Sequence, residues 1–455
     1  MSDNQNGKSH SIFAINLTLQ QQLQALLTDL QLDDAPAGGA LVVYQAGVCI
    51  AQASIGMAQA DMKWQADTLS LNFSTGKGVL ATLVHVLVSQ KRLAYDVPIA
   101  SYWSAFAACG KSDITLRAVL SHQADLFAID SIQVDNATLL HWEEMVAHVA
   151  AMPRTPPSAD ERYAKAYDSA YSALIYGWVL GGLIESVTDM TLADALRYYL
   201  TAPLGIADSC YFGVPNHKIN SVAKLVKDFD GLSVDGSPLR RKRHKPILKV
   251  DSAQTLDTYS SLPSYQCWQQ LKAECPLASA SSAPLVSLNS IQINRLYFNH
   301  SAINANNYRA ALIPASKQPI DYYDKQVMQA VIPAANGIAS AQALAIIYAM
   351  LANGGTWQGK TLIDASTFEQ LSTLQVTGMD AVMPAQMGWR LGYHRLFSVC
   401  QNDVEQGFGH MGYNGSVAWC EPERQLSFAF VHNFDVTLMN DVRQFALTEA
   451  VLAMT

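Results

Sequence analysis

The chain has 455 residues, half of them hydrophobic, 15% charged, and a formal charge of −8. That is enough apolar material for a large core and two lobes, and the acidic balance argues against nucleic acid as a general partner. The polar start "MSDNQNGKSH" lacks the apolar stretch of a secretory signal, and the most apolar early run, "GVLATLVHVLV" (78–88), is too short to cross a bilayer; a soluble cytoplasmic protein is the expectation.

Leucines at helical spacing in "NLTLQQQLQALLTDLQL" (16–32) predict a first helix. "GGALVVYQAGVCIAQASIGMA" (38–58) reads as two strands turning at Ala46-Gly47. "STGKGVLATLVHVLVSQKRL" (74–93) is apolar on most sides and predicts a deeply buried helix. A mainly helical stretch continues through 112–126 and 171–200. A further helix is predicted over "SAQALAIIYAMLANGG" (340–355), with Ser340 as its N-cap and Gly354-Gly355 as its stop. Strands follow at 416–420 and 425–433, joined by the turn "EPER", and an amphipathic helix at about 440–453 ends the chain. Strands at both ends most simply share one sheet, with a helical lobe between them.

Residues 216–330 read differently. "RRKRHK" (240–245) is a basic run that suits a solvated loop, and "ASASSAP" (278–284) is nearly low-complexity. The stretch is expected to be an insertion with long loops, covering a cleft or joining subunits. Seven scattered cysteines without a CxxC pair suggest reduced core residues rather than a disulfide framework or zinc site, and the eleven histidines show no metal spacing.

Ser74 and Lys77 open the buried helix. At i and i+3 they share a face, so the amine can reach the hydroxyl. A lysine at the mouth of a buried helix is desolvated, which lowers its pKa and equips it as a base. The helix N-terminus adds positive potential beside the nucleophile, and Gly76 and Gly78 leave room for a substrate or another chain segment. The competing reading is a helix cap with a snorkelling lysine. A second Ser-x-x-Lys, Ser221 to Lys224, lies in a polar, lysine-rich context and reads as coincidence. "GFGHMG" (407–412) satisfies G-x-G-x-x-G, but lacks the strand before and helix after that a dinucleotide site needs.

Together with "LAYDVPIASYWSAF…DITLRAVLSHQADL", "AYSALIYGWVLGGLIE", "IPAANGIASAQALAIIYAMLANGG" and "GFGHMGYNGSVAWCEPERQLSFAFVHN", the segment "DTLSLNFSTGKGVLA" resembles the serine β-lactamase and penicillin-binding protein superfamily. Within it the resemblance is to class C β-lactamase-like esterases (family VIII carboxylesterases), over roughly 40–210 and 330–435. The resemblance implies an α+β fold: an antiparallel sheet flanked by helices from 1–73 and 331–455, a mainly helical domain from 74–215, and the insertion 216–330. It implies Ser74 as the acylated nucleophile, Lys77 as the group that helps deprotonate it, and Tyr171 as the proton shuttle to the leaving group. Tyr163, Tyr167 and Tyr171 recur every four residues, and Tyr167 is the reserve choice.

Ala173 stands where many members carry Asn. His410-Met411-Gly412 stands where lactamases carry Lys-Thr-Gly. Both departures favour uncharged esters or amides over carboxylate-bearing lactams. Gly412 keeps the strand free of a side chain where substrate passes, the amides of Ser74 and Tyr413 form the oxyanion hole, and Asn336 holds the rim. Asp125 replaces a common glycine in "SHQADL". No cofactor or metal is expected, and the partners are a small-molecule ester or amide and, as an option, further copies of the chain in a homo-oligomer, without nucleic acid or membrane. The expected activity is acyl-enzyme hydrolysis of short-chain esters. The rivals are a β-lactamase or D-amino-acid/D,D-peptidase, and an inert binding protein on the same scaffold.

Overall fold

The computed structural model describes residues 14–159, 167–228, 251–274 and 287–455. The basic run, the 278–284 stretch and Tyr163 lie outside them. In chain order the main elements are α1 (Leu17–Asp29), β1 (Gly39–Gln45), β2 (Val48–Ile55), β3 (Ser70–Phe73), α2 (Thr75–Ser89), α3 (Ile175–Thr188), β4 (Cys210–Tyr211), β5 (Gly337–Ala339), α4 (Ala341–Ala352), β6 (His394–Arg395), β7 (Phe408–Met411), β8 (Val417–Glu421), β9 (Leu426–His432) and α5 (Arg443–Met454).

The large sheet has six strands in the order β6-β7-β8-β9-β1-β2, all antiparallel. The first and last strands of the chain pair inside the sheet, one strand in from the β2 edge, where Gly39 faces His432 and Gln45 faces Leu426. This is the α+β architecture expected. The turn at Ala46-Gly47 places both residues at positive φ, the two-residue geometry that suits a hairpin.

The strands are apolar on both faces because both faces are covered. In β1, Ala40, Val42 and Tyr44 join the core under α4 and α2, while Leu41 and Val43 join the core under α1 and α5. The same alternation runs through β8 and β9: Ala418, Cys420, Ala429 and Val431 point one way, and Trp419, Phe428 and Phe430 the other. A second sheet of three short strands, β3-β5-β4, lies at the start of α2.

Several expectations change. The stretch 112–126 is helical only over Leu116–Leu120, capped by Thr115. Beyond it His122 and Asp125 both adopt positive φ, and aspartate tolerates the left-handed turn better than most residues. The C-terminal helix is not one-sided, since Arg443 through Leu452 are all buried. Its outer face is covered by the 216–330 segment, whose described part is helical at Ala253–Ser261, Tyr265–Glu274, Ser290–Tyr297 and Ala305–Leu312 rather than only looped. Tyr297 stacks on Phe445 with ring centroids 3.9 Å apart, and its hydroxyl donates to Glu449 at 2.7 Å. Two cysteines expected to be free, Cys267 and Cys400, form a disulfide that ties this segment to the loop before β7. No helix among the described residues is long and apolar enough to cross a membrane.

Candidate active site

Strand β3 ends at Phe73, whose φ of +49° turns the chain sharply into α2. Such strain in a non-glycine residue occurs where the surrounding structure enforces it. Ser74 occupies the N-cap position, but its side chain makes no capping hydrogen bond. Its Oγ lies 2.8 Å from Lys77 Nζ and donates at 3.3 Å to the Ala334 carbonyl. Ser74 is partly exposed, whereas Lys77 is 0% exposed, so the hydroxyl faces solvent with the amine beneath it. A cap plus a snorkelling lysine does not describe this geometry.

Lys77 Nζ also donates to the carbonyls of Ala173 and Ala334, each at 2.7 Å. Among the described residues no carboxylate lies within ion-pair distance of it. Burial holds its pKa well below the usual lysine range. A neutral amine has two N–H groups and one lone pair. Uncharged, Lys77 gives those N–H groups to the two carbonyls, which only accept, and its lone pair is open to the Ser74 O–H once that hydroxyl swings from the Ala334 carbonyl.

The carbonyls arrive by close backbone contacts. A Cβ on Gly177 would sit 2.6 Å from the Ala334 nitrogen, and one on Gly76 3.2 Å from Gly337 Cα. Small residues at both helix starts thus admit the 332–337 loop. Asn336 is fully buried and knots that loop: its side chain accepts from Ile332 N and donates to the carbonyls of Val327 and Ala330. It shapes the wall behind Lys77 and ties the loop to the 327–330 segment before it, a buried place unlike the rim position expected for it.

Tyr171 comes from the segment before α3. The Ser74 side chain is near enough to the Tyr171 hydroxyl to draw the phenol pKa down, and the phenol ring lies 5.0 Å from Lys77 Nζ. Burial first, and then the Asp380 carboxylate, push its pKa well up, so it is a neutral phenol. Trp389 stacks on it at 5.6 Å with an interplanar angle of 9°, and His122 meets it edge-on at 5.1 Å. Tyr167 packs at the edge of the same apolar cluster as Tyr171.

His410 lies behind Tyr171, 2% exposed, with ring centroids 6.2 Å apart. Its Nδ1 pairs with the Met411 carbonyl at 3.1 Å. Burial, His394 and Lys77 together hold it well below the ordinary histidine range, so it is uncharged. The position matched to a lactamase lysine therefore carries a buried neutral ring, set back from the nucleophile. Gly412 is required by packing: a Cβ there would lie 2.3 Å from the Asn72 carbonyl oxygen. That contact, with the Thr75 hydroxyl donating to the Ser416 carbonyl at 3.0 Å, presses the 412–416 turn against the start of α2. Tyr413 thereby sits beside Ser74, 44% exposed, its ring 5.8 Å from Phe73.

The structure thus gathers Ser74, Lys77 and Tyr171, sets Gly412 and Tyr413 beside them, and places His410 and Asn336 behind. Sequence reasoning missed the carbonyls of Ala173 and Ala334, which carry no side-chain signal, and Asp380 and Trp389, which lie in an irregular segment. The second Ser-x-x-Lys is a surface turn in which Ser221 bonds Lys218 O, with both Ser221 and Lys224 exposed. Among the described residues no cluster of three or more histidine, cysteine or acidic groups is arranged to hold a metal.

Known proteins resemble this chain over most of its length. An esterase/beta-lactamase of Mycobacterium tuberculosis, LipL, is 30% identical over 407 residues, spanning 87% of this chain and 77% of that protein. A penicillin-binding protein homologue from Caulobacter crescentus shares the structure with a TM-score of 0.72 and 25% identity, over 97% of this chain and 99% of its own. A family VIII carboxylesterase shares the fold with a TM-score of 0.67 and 23% identity, over 97% and 99%. The Beta-lactamase family model matches residues 23–453. The chain therefore belongs to the beta-lactamase family and is a serine hydrolase.

Proposed function

We propose that the protein is a carboxylesterase that acts on small uncharged esters through an acyl-enzyme on Ser74. The observation that carries this reading is the buried amine of Lys77, 2.8 Å from Ser74 Oγ and 2.7 Å from the carbonyls of Ala173 and Ala334. Lys77 takes the hydroxyl proton as Ser74 Oγ attacks the ester carbonyl. The oxyanion forms against the backbone N–H groups of Ser74 and Tyr413, and loss of one such donor typically costs about 3–4 kcal/mol of barrier. Tyr171, held as a neutral phenol, gives its proton to the departing alkoxide and recovers the one that Lys77 took from Ser74. Water then attacks the acyl-enzyme along the reverse path.

The preference for esters rests on His410 and Ala173. An uncharged, buried imidazole at the strand position offers no cation for a substrate carboxylate. The relative named an esterase/beta-lactamase fits ester and lactam hydrolysis alike, so the choice rests on these two residues. The test is a panel of p-nitrophenyl esters beside nitrocefin. Higher kcat/KM on p-nitrophenyl butyrate is expected. Faster nitrocefin turnover would assign the site to lactam hydrolysis instead.

A further inference from the structure

We infer that Asp380 is a positioning residue for the proton-donating phenol, clamping Tyr171 through its backbone and through the face of its ring. This rests on the assignment of Ser74, Lys77 and Tyr171 above. Asp380 is 3% exposed, and among the described residues no cation lies within ion-pair distance of it. Its charge is met by five neutral donors. Oδ1 accepts from the amides of Tyr171 at 3.2 Å, Val382 at 2.8 Å and Met383 at 2.9 Å. Oδ2 accepts from Ser169 Oγ at 2.7 Å and from Trp389 Nε1 at 3.0 Å.

Two of these bonds bear on the phenol. The Tyr171 amide fixes the backbone from which the side chain projects. The Trp389 indole, held by its N–H, lies parallel to the phenol ring and fixes its plane. A further backbone bond, Ala381 N to Ser169 O at 2.9 Å, keeps the two segments side by side. A buried carboxylate that accepts only from donors is costly to desolvate, and nothing in the packing alone demands one. Its position, with one oxygen on the Tyr171 amide and the other on the tryptophan stacked against the Tyr171 ring, accounts for it.

An asparagine cannot replace it. With its oxygen on the three amides, its NH2 faces the indole N–H, donor against donor. Ser169 can rotate to accept, but Trp389 cannot. Asp380→Asn therefore loosens the indole and the phenol beneath it, without touching Ser74 or Lys77.

The experiment compares two butyrate esters that differ in leaving group. p-Nitrophenolate leaves without a proton, whereas ethoxide needs one from Tyr171. Wild type, Asp380→Asn, Tyr171→Phe and the double variant are assayed on p-nitrophenyl butyrate and ethyl butyrate. The expected result is that Asp380→Asn loses kcat on the ethyl ester by about tenfold or more beyond its loss on the aryl ester, with KM little changed. Tyr171→Phe should show the same selectivity, and the double variant should be no slower than Tyr171→Phe. If Asp380→Asn slows both esters equally beside a selective Tyr171→Phe, or if the two losses multiply, the clamp is wrong. If Tyr171→Phe itself shows no selectivity, the assignment of Tyr171 fails and the clamp falls with it. Should Asp380→Asn not fold, Trp389→Phe serves, because it keeps a stacking ring and deletes the N–H together with part of the bicycle. A smaller shift toward the aryl ester is expected there, and an unchanged preference overturns the proposal.

Discussion

Replacing Lys77 by methionine probes the base directly. The side chain is fully buried, and methionine fills a similar length of apolar space. Two effects on stability oppose each other. The carbonyls of Ala173 and Ala334 lose their donors, at about 1–3 kcal/mol each. Against this, the variant no longer has to bury an amine whose charged form burial disfavours. The net change near neutral pH is small, but its pH dependence has a definite sign. Below an unfolded pKa of about 10.4 the unfolded chain carries a proton on Lys77 that the folded protein resists, until the pH falls to the lowered native value. Wild-type stability therefore drops as pH falls through that window, and Lys77→Met is spared the drop. The difference in melting temperature, variant minus wild type, should become more favourable from pH 10 toward pH 7. Catalysis changes far more. Loss of a positioned base removes about 10²–10⁴-fold in kcat, or about 3–5 kcal/mol of barrier. Lys77→Arg keeps a cation that cannot deprotonate, so it should be equally inactive. Steady-state hydrolysis of p-nitrophenyl butyrate reads both. More than a tenth of wild-type kcat in Lys77→Met, or substantial activity in Lys77→Arg, would refute a neutral amine as base.

Three further outcomes follow from the packing. In Gly78→Ala the new Cβ would lie 2.1 Å from the Tyr348 hydroxyl oxygen, so a loss of about 1–3 kcal/mol is expected in denaturant unfolding, with rescue by Tyr348→Phe, which deletes a buried hydroxyl that lacks a hydrogen-bond partner among the described residues. Arg443→Ala strips a buried cation from Asp441, at 2.8 Å, and from Asp34, and should cost about 3–5 kcal/mol by the same measurement. Cys400→Ser opens a link between residues 133 apart and should destabilise by about 2–5 kcal/mol, while non-reducing peptide mass spectrometry of the wild type should recover Cys267 joined to Cys400.

The sequence was most legible where local pattern and tertiary demand coincide. Ser340 caps α4 through the Ala343 amide, Gly354 and Gly355 end it at positive φ, and the run 75–88 is buried throughout. Ser74 and Lys77 were legible because their spacing and apolar setting mark a helix start. Legibility failed where a residue answers to a partner distant in sequence. The polar side chains of α5 suggested a solvated face, yet Arg443 and Glu449 are satisfied by buried partners, including Tyr297 from the insertion. Gly412 suggested room for substrate, yet its small size answers to the Asn72 carbonyl. The Cys267–Cys400 pair has no local spacing to announce it. Asn336 was expected at the rim of the site, but its side chain is buried and holds the turn behind Lys77.

The most direct measurement is intact-protein and peptide mass spectrometry after treatment with a fluorophosphonate. A single adduct on the peptide that contains Ser74, absent in Ser74→Ala, is predicted. An adduct on another residue, or labelling that survives Ser74→Ala, would contradict the assignment of Ser74 as the nucleophile.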